Sequence, residues 1–109
     1  MQTISETDIA ALKERFPGVE LNLISNEDAG MEIVARTPPK GEWDRFRTMQ
    51  QDDSQAPFAL RTLVLGCIVK PTAEEFRAVL ETRPGLAETF GARLVKIGGV
   101  SSATTHRKL

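Results

Sequence analysis

Apolar residues change their spacing twice along this chain, and each change predicts an element. Ile9, Leu12 and Phe16 recur at helical spacing behind Ser5, which is suited to cap a helix, with Asp8 at capping-box distance and Ile4 and Ile9 placed as a hydrophobic staple. Pro17-Gly18 ends that helix. The period then becomes two: Val19, Leu21 and Leu23 alternate with Glu20 and Asn22, and Met31, Ile33 and Ala35 alternate with Glu32 and Arg36. Two half-buried strands joined by the polar turn at residues 26–30 follow from this, with one apolar row on each strand. Thr37-Pro38-Pro39 closes the unit, because consecutive prolines cannot extend a hydrogen-bonded ladder.

Beyond the prolines the helical period returns. Residues 42–51 place Trp43, Phe46 and Met49 or Gln50 on one face, with Arg45 and Arg47 elsewhere. Ser54 is suited to cap the next helix, with Pro57 in its first turn. Leu60, Leu63, Val64, Cys67 and Ile68 then form one stripe, and Phe58, Leu65 and Val69 a second, as in a helix covered on almost every side. Periodicity alone leaves a buried strand open for Leu63 to Val69; the capped start and the length favour a helix. Thr72 to Glu75 is a second capping box, ahead of Phe76, Val79 and Leu80. Arg83 precedes Pro84 and should leave the helical region, so the next helix meets this one at a corner. Leu86, Phe90, Leu94 and Ile97 carry that last helix to Gly98-Gly99.

The fold class expected is therefore α+β and mostly helical. A small N-terminal helix and β-hairpin (residues 1–36) precede a bundle of about four helices (residues 40–99). Residues 1–99 are expected to form one domain, and residues 100–109, which lack apolar periodicity, a flexible C-terminal tail.

Composition changes this picture little. An apolar fraction of 40% and a charged fraction of 27% belong to an ordinary folded protein. The single cysteine, Cys67, excludes an internal disulfide. No apolar leader stands in the first 16 residues and no run is long enough to span a bilayer, so a cytoplasmic protein without membrane contact is expected. A net charge of −1 argues against a dedicated nucleic-acid binder. The charge is unevenly spread: residues 1–35 hold seven acids against two bases, and the remainder holds twelve bases against eight acids. Such asymmetry suits head-to-tail association between copies.

No pattern of residues points to catalysis, a cofactor or a metal. His106 is the one histidine and lies in the expected tail. Cys67 sits in an apolar stripe, where burial raises a thiol pKa and quenches nucleophilicity. Asp52-Asp53 and Glu74-Glu75 are adjacent acids that do not face one another on a helix, and capping and helix-dipole effects account for them. Gly98-Gly99 lacks the spacing of a phosphate loop. Arg93 and Lys96 alone make a thin recognition surface for DNA on the last helix. What remains is partner binding: grooves that receive amphipathic helices are lined by large apolar side chains, and Trp43, Phe46, Phe58, Leu65 and Val69 are the candidates.

The order of motifs does resemble a known family. Arg36-Thr-Pro-Pro39, Glu42-Trp-Asp-Arg-Phe46, Leu63-Val-Leu-Gly-Cys-Ile-Val-Lys-Pro71, Glu75-Phe76, Arg83-Pro-Gly-Leu86 and Leu94-Val-Lys-Ile-Gly-Gly99 are similar to the tail assembly chaperones of long-tailed bacteriophages and related prophages. The resemblance spans about residues 31–99 and implies a non-enzymatic role in the bacterial host cell: binding the tape measure protein during tail morphogenesis and helping to recruit the tail tube protein. A small helical DNA-associated or regulatory protein, or a minor phage structural protein, are the alternatives.

Overall fold

The computed structural model of the chain describes residues 3–99. The residue range of the expected tail, His106 included, lies outside them. Helix α1 (Glu6–Arg15) starts where its sequence signals a start: the Ser5 hydroxyl accepts from the Asp8 N–H at 3.1 Å. It stops at Phe16, and Gly18 takes φ +76° to turn the chain into the sheet. Strands β1 (Leu21–Asn26) and β2 (Met31–Arg36) pair antiparallel, with Leu23 opposite Val34 and Ile24 opposite Ile33. Their turn is fixed by the Ala29 N–H donating to Asn26 Oδ1 at 2.8 Å and by Gly30 in the left-handed region.

The helical half follows: α2 (Lys40–Gln51), a 3-10 turn (Ala56–Phe58), α3 (Ala59–Cys67), strand β3 (Ile68–Lys70), α4 (Ala73–Thr82) and α5 (Leu86–Ile97). Thr72 and Glu75 make both hydrogen bonds of the capping box that starts α4. Arg83 leaves the helical region as its following proline requires, and its guanidinium donates to the Ala29 carbonyl at 3.0 Å, tying the α4–α5 corner to the hairpin turn. The fold is α+β and mostly helical, as the periodicities indicate.

Three local expectations give way. The apolar run is not one helix through Val69: α3 ends at Cys67, and Ile68–Lys70 pairs antiparallel with β2, giving a sheet of order β1-β2-β3. Val69 is therefore a strand residue and shares no helical stripe with Phe58 and Leu65. A run without polar side chains satisfies either period, so the choice falls to the edge of β2, which pairs with Ile68–Lys70. Second, Ser54 does not cap α3. Its N–H and hydroxyl both bond Asp52 Oδ1, and the helix is entered instead through the 3-10 turn that contains Pro57.

Third, the single apolar row expected on β1 faces away from the main core. Ile24 is buried with Met31, Ile33 and Ala35, whereas Leu23 is 47% exposed and Val19 is 41% exposed. The reason is that β2 is a central strand covered on both sides. Met31, Ile33 and Ala35 face the helices, while Val34, also buried, faces α1 with Leu12. The main core is continuous from Ile24 to Leu94 and includes Phe46, Leu63, Cys67, Phe76 and Phe90, so the N-terminal and helical halves share it. Phe76 and Phe90 meet edge to face with ring centroids 6.0 Å apart.

Candidate functional site

Small residues let α3 and α5 approach closely. Gly91 of α5 is buried against Leu60 of α3, where an added Cβ would stand 2.8 Å from Leu60 Cβ. This contact draws α5 across α3 and leaves a trough between α5 and α2, floored by the start of α3. The trough has a volume of about 500 Å³. Phe46 and Ala59 form its buried floor, Leu60 and Val95 are half-buried, and Gln50, Ala56, Ala92 and Lys96 stand exposed at its rims. Apolar floor, small-residue walls and a polar margin are what an amphipathic helix needs to settle closely. Trp43 closes the α2–α5 seam, its indole packed where a side chain at Gly98 would otherwise stand and its ring 5.5 Å from that of Phe46.

The five expected partner-binding residues do not converge. Phe46 lines the trough and Trp43 bounds the same seam. Phe58 lies on the 3-10 turn beside it, 57% exposed. Leu65 and Val69 are half-buried on α3 and β3 and do not line it. The trough therefore does not run between α2 and the apolar helix: α3 is its floor, and the second wall is α5. The residues that sequence reasoning passed over are Ala56, Ala59, Ala92 and Val95. Their signal was there in the small residues, Ala56 and Ala59 three apart and Gly91-Ala92 adjacent, which mark helix surfaces open to close approach.

A polar cluster lies deeper between α2 and α3. Arg36 at the end of β2 donates to the Gly66 carbonyl at 2.7 Å, satisfying one of the last carbonyls of α3 with a charge that complements the negative end of the helix dipole. The Glu42 carboxylate lies directly against Gly66, where any Cβ would collide with its Oε2, and Arg45 approaches that oxygen at 3.6 Å. Cys67, fully buried, has its thiol pushed up to about 11, first by burial and then by the Glu42 carboxylate, with Arg36 opposing. A thiol so placed is protonated at neutral pH and packs as a small apolar group. Among the described residues no group of three or more His, Cys, Asp or Glu side chains is arranged to hold a metal ion, and no helix is long and apolar enough to cross a membrane.

No curated protein matches the chain. A solved structure of an uncharacterised protein, rbstp2171, from Bacillus stearothermophilus is similar over 91% of this chain and 99% of its own, with a TM-score of 0.76 and 28% sequence identity. Residues 18–107, which run from the hairpin through the whole helical half, match the family model described as Domain of unknown function (DUF6848), and the chain belongs to that family.

Proposed function

We propose that this protein is a non-enzymatic tail assembly chaperone of a phage or prophage, which holds an amphipathic helix of the tape measure protein in the trough between α2 and α5. The observation that carries the reading is the trough itself: an apolar floor of Phe46, Ala59, Leu60 and Val95 bordered by exposed alanines. The resemblance of the motifs over residues 31–99 supplies the identity of the partner, and of the tail tube protein as the component that later displaces the chaperone.

The energetics suit a temporary complex. Two or three large apolar anchors contribute about 1.5–3 kcal/mol each on full burial. Association costs about 4 kcal/mol or more in lost freedom. Terms this close in size give weak, reversible binding that mass action maintains while the chaperone is in excess and that a competing subunit can end. Co-expression with the tape measure protein, followed by pull-down, tests the proposal. The chaperone should copurify with its partner and raise its solubility. Ala92→Glu, which places a charge on an exposed wall of the trough, and Phe58→Asp at its end should abolish capture without lowering the melting temperature. Failure of the unmodified pair to copurify, with no gain in partner solubility, refutes the proposal.

A further inference from the structure

We infer that the outer edge of β1, unpaired among the described residues, is a pairing site for a second copy of this chain, the two β1 strands joining antiparallel about a two-fold axis at Leu23 to make one continuous six-stranded sheet. The two edges of the sheet are built differently. β3 is three residues long, runs into Lys70-Pro71, and pairs with β2 through a register irregularity, all devices that discourage further strand addition. β1 has none of them. Its six residues, Leu21 to Asn26, include no charge and no proline and pair with β2 in unbroken register.

The hydrogen-bonding parity of β1 decides what fits. The Thr37 N–H donates to the Glu20 carbonyl at 3.0 Å, so even-numbered residues of this strand turn their backbone groups toward β2. The N–H and C=O groups of Leu21, Leu23 and Ser25 therefore point the other way, into an open groove of about 490 Å³ lined by Leu21 to Ser25 and, from α5, Arg93 and Ile97. A second β1 satisfies all three residues when Leu23 lies opposite Leu23 and Leu21 opposite the second copy's Ser25, about six main-chain hydrogen bonds in all. The same register places Asn22 against Ile24 and Glu20 against Asn26, so no like charges are paired between the two strands themselves.

It also explains Leu23, a large apolar side chain at 47% exposure on a sheet face, which is covered by its own counterpart. One strand pair with its flanking side chains covers less than the ~800 Å² per partner of a standard interface, so the dimer is a weak, concentration-dependent one.

Sedimentation velocity of the full chain, from low-micromolar to near-millimolar concentration, should show a monomer–dimer equilibrium. Amide exchange should slow at Leu21, Leu23 and Ser25 as concentration rises. Leu23→Lys and Leu23→Glu should each weaken self-association by ~10-fold or more, because like charges then face one another on the axis. Both variants should keep the unmodified melting temperature at a dilution where the unmodified chain is monomeric, since the side chain is exposed in the single chain. Mixing the two variants in equal amounts should restore dimers, as Lys then faces Glu. A chain that stays monomeric throughout, edge amides whose protection is independent of concentration, or a mixture that fails to reassociate overturns the inference. The assay uses no tape measure protein, so its failure is separate from any failure of the chaperone reading.

Discussion

Replacing Gly91 by alanine sets two opposed effects against each other in a single methyl group. In the middle of a helix, alanine is favoured over glycine by about 1 kcal/mol, because it removes the extra backbone freedom of the unfolded chain. Against this, the new Cβ would stand 2.8 Å from Leu60 Cβ and 3.2 Å from both Leu60 Cδ2 and the Leu60 carbonyl oxygen. Leu60 Cβ is fixed to the α3 backbone and cannot rotate away, so α3 and α5 must separate by several tenths of an ångström. Overpacking of this kind costs about 1–3 kcal/mol. The steric term is the larger, and Gly91→Ala should be less stable than the unmodified protein by about 1 kcal/mol.

Gly66→Ala provides the contrast. There the colliding group is the Glu42 carboxylate, the far end of a flexible side chain that can swing toward Arg45 and solvent. The propensity gain should survive, leaving that variant within about 1 kcal/mol of the unmodified protein. Urea unfolding monitored by Trp43 fluorescence measures both, with the slopes compared to confirm that the denatured state is unchanged. A Gly91→Ala protein more stable than the unmodified chain would refute the close α3–α5 contact, and with it the geometry of the trough.

Phe76→Ala removes a fully buried ring that meets Phe90 edge to face, and should cost about 3–5 kcal/mol in the same assay, a large part of the stability of a domain this size. Stability should also fall in acid. The Glu32 carboxyl is held below its usual range first by the Ile4 N–H and then by the Ser25 hydroxyl, and that of Glu75 first by the Thr72 N–H and then by the Thr72 side chain. Because the folded-state pKa is the lower one in each case, the contribution is present above the ordinary carboxylate value of about 4.5 and is lost as pH drops through the depressed values. Thr72→Ala should reduce the Glu75 share of that acid sensitivity, read as a flatter dependence of melting temperature on pH between about 5 and 3.

Elements set by neighbours within a few residues were legible in the sequence. Ser5 and Thr72–Glu75 cap their helices, Pro17-Gly18 and Gly98-Gly99 end theirs, the turn at residues 26–30 makes a hairpin, and Arg83-Pro84 turns a corner. Each involves hydrogen bonds or torsional limits that span four or five residues at most, so the side chains that decide them adjoin one another in the chain. The apolar run from Leu63 to Val69 carried no such local instruction. Its last residues became a strand because β2, more than thirty residues earlier, offered a row of unpaired backbone groups at the right place. The same holds for the two faces of β1 and β2. Alternation marks two rows but does not say which is covered, and with α1 on one side and the helices on the other, β2 buries both.

The candidate site belongs to the same class. Phe46 and Trp43 were visible as large side chains on one helix, but the trough is a space between α2 and α5, set by how closely Gly91 lets two helices cross. Short-range order was therefore written in the chain, while strand partners, covered faces and the groove were decided by packing between segments far apart in it. Backbone torsions and caps are satisfied within a turn, and hydrophobic burial is satisfied only by whichever distant surface arrives.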